Sequence, residues 1–286
     1  MTITSTQSAT LVIPALTVDD PDSVKLSAAH ILKSEWLKLR TLRSSWALMA
    51  IAFGALTFVG LALSWSTISE VASGKAQALE HFNALTDSMT GLELSQLAIG
   101  VLAILFIAGE YSTGQIRSSL GAVPKRLPML LAKTGLLAVL TFVTMLPAAL
   151  ITFFGSQRIL SQQHIQTTWS APTVPRTVLG VVLYLTVIAI IGVGLGAVIR
   201  NIAGGIAAFV GIMIVLPAIA GALPQTWGDR INKYLPSNAG RALLNLESDF
   251  QGGNLMLKPW TGFAVFVAYA FALLIVAAVL LKRRDA

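Results

Sequence analysis

The chain has 286 residues, of which 55% are hydrophobic and only 12% are charged, with a formal net charge of +7. This composition differs strongly from that of a soluble domain and predicts a membrane protein. There is no cysteine, which excludes disulfides, thiolate nucleophiles and iron–sulfur clusters. Basic residues that flank membrane spans account for the positive charge, so no nucleic acid partner is expected.

Residues 1–26 are rich in Ser and Thr and include three Asp residues. Their apolar run "LVIPAL" is too short to be the core of a cleavable secretory signal. We therefore predict a disordered cytosolic tail over 1–26, followed by a membrane domain over 27–286.

The next segment, "AAHILKSEWLKLRTLRSSW", has the apolar periodicity of an amphipathic helix. One arc of this helix holds Ile31, Leu32, Trp36, Leu39 and Leu42. We predict a helix over 27–43 that lies on the inner leaflet, with Arg40 away from the apolar arc. Glu35 falls within the arc, where an unpaired carboxylate is costly. Its partner is either Lys38, three residues further on, or a group elsewhere in the bundle or on a cytosolic protein.

Six segments reach or approach the roughly 20 apolar residues that cross a hydrocarbon core about 30 Å thick. Because lipid offers no hydrogen bonds to the backbone, these segments must be helices, and the predicted fold class is an all-α integral membrane protein. The spans are expected at about 46–65, 92–109, 129–154, 178–199, 202–223 and 260–281. Most Lys and Arg residues lie on the side that holds both termini, which predicts that both termini are cytoplasmic.

Only Arg200 and Asn201 separate spans four and five. This spacing predicts a tight helical hairpin, with one long broken segment as the alternative. Gly192 and Gly196 have G-x-x-x-G spacing, and Gly204 and Gly205 stand at the start of span five, so close packing between these two helices is expected. Prolines inside spans three and five predict kinks at Pro147 and Pro217.

Several enzyme classes lack their sequence signatures in this chain. No G-x-x-x-x-G-K-[ST] phosphate loop occurs, the nearest fragment being "SGKA", and neither H-E-x-x-H nor G-x-S-x-G is present. The charges near spans lie toward span ends, which disfavours a carrier driven by ions through buried carboxylates. These charges are Glu93, Glu110, Lys133 and Arg200. We expect a chain that is not an enzyme and binds no metal or cofactor itself.

A polar segment, "GEYSTGQIRSSLGAVPKR", joins spans two and three. Ser112 and Gln115 match a capping box, and Gly121 with Pro124 supplies a stop, so a short helix is predicted over about 113–120. One face of it would carry Thr113, Ile116 and Leu120, with Arg117 adjacent. Such a surface either inserts into a groove on a partner protein or forms a basic loop held at anionic headgroups.

The loop before span six contains "YLPSNAGRALLN". Ser237 or Asn238 is predicted to cap a short helix. This helix would carry Leu243, Leu244 and Leu246 and could rest on the outer leaflet.

Taken together, "SEWLKLRTLRSSW", "EYSTGQIRSSLGAVPKR" and "YLPSNAGRALLN" resemble segments of the permease subunits of type-2 ATP-binding-cassette exporters, particularly actinobacterial ones. The similarity runs from about residue 27 to the end. It implies a six-helix domain with an amphipathic elbow helix at 27–43, a cytosolic coupling helix at about 112–121, and an extracellular or re-entrant helical hairpin before span six. It also implies a plasma-membrane location, a second permease subunit, identical or different, and a separate ATPase chain that binds ATP and Mg.

The resemblance assigns roles by position. Glu110 and Tyr111 would hold the end of span two, and the ATPase would contact Thr113, Ile116, Arg117 and Leu120. The elbow helix would contribute Glu35, Trp36 and Arg40. The expected function is that of a permease subunit that moves a hydrophobic or amphipathic substrate. The alternative is a non-transporting immunity or sensor protein that sequesters a peptide and tolerates loss of the ATPase contacts.

Overall fold

The computed structural model of the chain describes residues 28–74, 82–114, 126–244 and 257–283. The predicted tail over 1–26 lies outside the described residues. So does most of the predicted coupling helix, including Ile116, Arg117 and Leu120. The described residues form helices joined by short connections.

Six helices in the described part of the chain are long and apolar enough to cross a membrane. This confirms the prediction of an all-helical, multi-pass membrane protein with six spans. Five spans are single helices: α2 (Arg43–Ala72), α4 (Leu92–Ser112), α5 (Arg126–Leu160), α6 (Val174–Ile199) and α11 (Pro259–Arg283). The fifth span consists of α7 (Ile202–Val210), a π-helical turn (Gly211–Val215) and α8 (Leu216–Gly221).

The first span continues well past its predicted end near residue 65, as far as Ala72. The added residues are mostly polar, and their hydroxyl groups donate to carbonyls of the preceding turn. Thr67 and Ser69, for example, donate to the carbonyls of Leu63 and Ser66 at 3.0 and 2.7 Å. Such local hydrogen bonds let a helix outlast its apolar run.

Helix α1 (Ala28–Thr41) covers most of the range 27–43 that was predicted to be helical. Leu42 adopts an extended conformation, with φ −80° and ψ 103°, and turns the chain into α2. The buried face of α1 consists of Ile31, Glu35 and Leu39, whereas Leu32 and Trp36 are exposed. The buried stripe is therefore narrower than the predicted apolar arc and includes the carboxylate.

Helix α6 lies at the centre of the bundle, where it contacts α4, α5, α7 and α11. At Gly192 an added Cβ would lie 2.6 Å from the Cβ of Ala103 in α4, and at Gly196 it would lie 2.5 Å from Ile107, also in α4. Gly205 of α7 likewise faces Ile104 of α4.

The predicted glycine contact between spans four and five is therefore wrong for three of the four glycines. Only Gly204 lies against the end of α6, 3.0 Å from Ile199. The reason is that both helices pack on α4. Their small residues therefore lie against α4 side chains and not against one another.

The hairpin between spans four and five is confirmed. Arg200 ends α6 in the left-handed region, with φ 57°. Asn201 then caps α7, because its side-chain oxygen accepts the amide of Gly204 at 2.8 Å. Further along this span, Pro217 is the second residue of α8, just after the π-helical turn, and so lies in a first helical turn where a missing amide hydrogen is tolerated.

Helix α5 contains Pro147 and is fixed at the end away from α1 by Gln157. The Gln157 amide donates to the carbonyl of Ala84 at 3.3 Å and its oxygen accepts the amide of Thr167 at 2.8 Å. Ala84 begins the short helix α3 (Ala84–Ser88), which Asn83 caps.

Two short helices, α9 (Gln225–Asn232) and α10 (Pro236–Arg241), follow the fifth span. The predicted cap is wrong: Leu235 occupies the N-cap, and Ser237 and Asn238 lie inside the helix after Pro236. Proline is favoured at the first helical position because it has no amide hydrogen to satisfy. Leu246 lies outside the described residues.

One prediction placed this short helix on the outer leaflet. In the structure, α10 instead packs against helices of the bundle. At Gly240 an added Cβ would lie 2.6 Å from the ring of Tyr184 and 2.8 Å from the ring of Phe266. Tyr184 stands well inside α6, which begins at Val174. At a helical rise of about 1.5 Å per residue, it lies about 15 Å from the start of that helix. Helix α10 therefore packs into the bundle against α6 and α11.

Candidate functional site

Three helices meet at the end of the bundle where α1 joins α2, which we call the α1 end. Glu35 lies on α1, Glu110 in the last turn of α4, and Lys133 near the start of α5. The Lys133 ammonium donates to Glu35 Oε2 at 2.5 Å and to Glu110 Oε1 at 2.8 Å. Lys38 of α1 donates to Glu35 Oε1 at 3.1 Å and to Glu110 Oε1 at 2.9 Å. These four residues are the lysine cluster.

The lysine cluster is removed from solvent to an unusual degree for charged groups. Lys133 is fully buried, Glu35 is 3% exposed and Glu110 is 7% exposed. Two carboxylates and two ammonium groups give the cluster no net charge. Charges at this depth are tolerated only when paired and hydrogen-bonded. The Lys133 ammonium also lies 4.4 Å from the centroid of the Phe106 ring, a favourable cation–π contact.

Lys38 is the member of the cluster nearest to solvent, with 29% of its side chain exposed. Partial burial lowers the pKa of Lys38. The hydrogen bond and charge of Glu110, together with those of Glu35, outweigh that effect and raise the pKa above 10.5. The ammonium is therefore charged at neutral pH and binds both carboxylates.

Both partners considered for Glu35 are present. Lys38 lies three residues away on the same helix, and Lys133 reaches Glu35 from α5. Glu110, in the last turn of α4, contacts Lys38 of α1 and Lys133 of α5. Tyr111 lies beneath the Arg200 guanidinium, whose carbon is 5.1 Å from the ring centroid.

The predicted capping box at Ser112 is wrong. Ser112 is the last residue of α4, and its hydroxyl donates back to the carbonyl of Gly109 at 2.9 Å. Thr113 is the C-cap of α4 and its hydroxyl donates to the same carbonyl at 3.0 Å. Ser112 and Thr113 therefore belong to the end of span two, where the Gly109 carbonyl also accepts the Thr113 amide at 3.1 Å. Gln115, the other half of the predicted capping box, lies outside the described residues.

Trp36 and Arg40 of α1 take no part in the lysine cluster. Both side chains are exposed. The Arg40 carbonyl accepts a hydrogen bond from the Trp46 indole at 3.2 Å, which ties the end of α1 to the start of α2.

Sequence reasoning noted Lys133 and Lys38 but did not identify them as site residues. A signal was available: an acidic residue ends one apolar helix, and a basic residue stands in the first turns of the next. Consecutive spans place these positions at the same end of the bundle, where opposite charges attract. Glu110 and Lys133 satisfy that rule.

A cavity of about 460 Å³ opens beside the lysine cluster. It lies between the junction of α1 and α2, the last three turns of α4 and the start of α7. Lys38 and Glu110 form its charged part, and Leu48, Leu102 and Phe106 are among its apolar walls. The cavity thus has the amphipathic lining that small-molecule sites commonly show.

A second polar group lies at the opposite end of α4. The Tyr184 hydroxyl donates to Gln96 Oε1 at 2.6 Å, and the Gln96 amide donates to Glu93 Oε2 at 2.7 Å. Arg241 of α10 donates to the same Glu93 oxygen at 2.7 Å. The Tyr184 ring stacks on Phe266 of α11 at 5.0 Å. We call Glu93, Gln96, Tyr184 and Arg241 the tyrosine cluster.

Across the described ranges, no three His, Asp or Glu side chains come together as a metal site would require. The lysine cluster itself contains two carboxylates that are already paired with ammonium groups. These ion pairs join α1, α4 and α5.

Comparison with protein-family models and with curated proteins gave no match.

Proposed function

We propose that this chain is the membrane-spanning permease subunit of an ATP-driven exporter of the type-2 ATP-binding-cassette class. It would work with a second permease subunit and with a separate ATPase chain that binds ATP and Mg. In this proposal both termini face the cytosol at the plasma membrane, and the cargo is hydrophobic or amphipathic. The sequence resemblance suggests the class, and one feature of the structure supports it.

That feature is the position of the lysine cluster on either side of residues 115–125. Glu110 lies a few residues before this segment and Lys133 lies a few residues after it. Both are bound to Glu35 or Lys38 of α1 at 2.5–2.9 Å. Force applied to the segment by an ATPase would therefore reach α1, α4 and α5 together.

The central position of α6 extends this coupling into the bundle. Helices α4 and α5 both pack along α6, and the side chains of Ala103 and Ile107 of α4 lie directly against Gly192 and Gly196 of α6. Close packing at small residues couples the positions of the two helices, because neither helix can shift far before the α4 side chains meet the α6 backbone. An exporter needs such a connection between its ATPase contact and its core.

The test is co-purification of an ATPase with this chain from its native membrane in a gentle detergent. Wild type is compared with Ile116→Asp and Arg117→Glu, which alter the predicted contact surface. We expect an ATPase to accompany wild type and to be lost from both variants. Arg158→Glu is the matched control, because Arg158 is an exposed arginine near the opposite end of α5.

Two results would contradict the proposal. One is the absence of any ATPase with wild type under these conditions. The other is an equal loss with Arg158→Glu, which would assign the effect to charge reversal in general. Retention of a bound peptide by both segment variants would favour the immunity or sensor protein instead.

A further inference from the structure

Arg200 has a backbone conformation that arginine rarely adopts. It ends α6 with φ 57° and ψ 17°, in the left-handed region that favours glycine. Its Nε atom is also buried and has no hydrogen-bond acceptor among the described residues. Both features cost stability. A glycine at this position would avoid both costs, so the arginine must be explained by what its side chain contacts.

The Arg200 side chain contacts two helices other than its own. Its guanidinium carbon lies 5.1 Å from the centroid of the Tyr111 ring, in the last turn of α4. Its Nη2 atom donates to the carbonyl of Leu280 at 3.4 Å. This carbonyl is one of the last four of α11, which a regular helix leaves without an intrahelical partner. Arg200 thus joins the ends of α4, α6 and α11.

Charge explains why a cation suits this junction. Three helices end close to the Arg200 guanidinium: α4 at Ser112, α6 at Ile199 and α11 at Arg283. Each helix C-terminus carries a partial negative charge from the aligned peptide dipoles. No carboxylate in the described part of the chain forms an ion pair with Arg200. Three helix ends and an aromatic ring therefore compensate its charge.

We propose that Arg200 is a positioning residue that fixes the last turn of α11 relative to the last turn of α4. Tyr111 lies shortly before residues 115–125, so a displacement of that segment reaches span six through Arg200. The lysine cluster connects the same segment to α1 and α5. The Arg200 contacts lie within this chain, and only their use in ATP-driven movement rests on the proposed function.

The first test compares Arg200→Gly with His164→Gly in the purified full-length chain, without any ATPase. His164 is the other described non-glycine residue with a positive φ, at 59°, but its side chain is exposed. Glycine relieves the backbone at both positions. The unfolding equilibrium, measured by SDS titration in mixed micelles, should shift about tenfold toward the unfolded state in Arg200→Gly. His164→Gly should be at least as stable as wild type.

A double-mutant cycle with Tyr111→Leu tests whether Arg200 acts through the aromatic ring. If the ring contact holds the two helices together, the double variant should lose about threefold less than the product of the two single losses. Side chains that contribute separately would give losses that multiply. Tyr111→Phe keeps the ring face and should keep the coupling to Arg200.

Amide hydrogen exchange shows where the effect of Arg200→Gly is located. The exchange rate should rise about tenfold over 277–283, at the end of α11, and stay unchanged over 263–270. Arg200→Lys keeps the charge and should restore part of the protection. The proposal is overturned if Arg200→Gly is as stable as wild type, if its loss and that of Tyr111→Leu multiply, or if exchange at the end of α11 does not change.

Discussion

The lysine cluster and the tyrosine cluster lie at opposite ends of α4, and they hold polar side chains inside the bundle in different ways. Each joins α4 to other elements of the bundle through four side chains. The lysine cluster consists entirely of charged groups, three of them almost fully buried. In the tyrosine cluster the charged pair is the exposed part, with 47% of the Glu93 side chain and 30% of the Arg241 side chain accessible.

The buried part of the tyrosine cluster is neutral, since Gln96 and Tyr184 are both fully buried. Neutral hydrogen bonds can be buried at modest cost, whereas buried charges need partners of opposite sign. Solvent screens the exposed pair, so Glu93 and Arg241 add little stability. The comparison predicts that stability depends on charge at the α1 end and on hydrogen bonding and packing at the other end.

Lys133→Met should have the largest effect. It leaves Glu35 and Glu110 buried with Lys38 alone, so the cluster carries an uncompensated negative charge. Removing one partner of a buried ion pair typically costs about 3–5 kcal/mol. The measurement is the thermal unfolding of the purified chain in detergent. A loss smaller than that of the Tyr184 variant below would contradict the assignment of greater charge dependence to the α1 end.

Tyr184→Phe should have an intermediate effect. The ring and its stacking on Phe266 remain, but the buried Gln96 Oε1 loses its donor at 2.6 Å. An unsatisfied buried acceptor costs about 1–3 kcal/mol. Unfolding is measured as for Lys133→Met. Tyr269→Phe serves as a control, because Tyr269 is more exposed and donates to a backbone carbonyl at 3.1 Å. Equal losses in the two variants would argue against a special role for burial.

The raised pKa of Lys38 predicts a loss of stability in alkaline solution. The folded protein holds the proton more tightly than the unfolded chain, so the stabilisation is complete below pH 10.5. It is lost as the pH rises through the folded-state pKa. Unfolding temperatures of wild type and Lys38→Arg are compared below and above pH 10.5. Arginine stays charged above pH 10.5, so the unfolding temperature of Lys38→Arg should fall less than that of wild type. An equal loss would assign the alkaline effect to other groups.

Glu93→Gln should have the smallest effect. The substitution removes the charge opposite Arg241 but keeps an oxygen that accepts a hydrogen bond. Exposed pairs contribute about 0–1 kcal/mol, and added salt screens that contribution. The difference in unfolding temperature from wild type is measured at low and high salt, and should vanish at high salt. A large, salt-independent loss would show that this end also depends on charge.

The sequence predicted features set by local pattern, such as the spans and the hairpin at Arg200 and Asn201. It also predicted that Glu35 needs a partner, because helical periodicity places that carboxylate on an apolar arc. It did not identify Lys133 as the partner, since 98 positions separate the two residues. Periodicity shows which face of a helix is unusual and gives no information about which helix covers it.

The same limit explains why the predicted glycine contact was wrong and why the tyrosine cluster was not predicted. Small residues at Gly192 and Gly196 predicted a close helix contact, but neighbours in sequence were taken as neighbours in space. Tyr184 stands in a continuous apolar helix, where an aromatic residue is ordinarily part of the core. Its hydroxyl became significant only when α4 brought Gln96 within hydrogen-bonding distance.

Helix α5 is anchored near both ends, by Lys133 at the α1 end and by Gln157 at the other. Between these anchors, Pro147 cannot donate a hydrogen bond to the carbonyl four residues before it. The helix is thus stiff in two stretches and compliant at one point. A relative movement of the two membrane surfaces would concentrate its bending strain at Pro147 and leave the anchors in place.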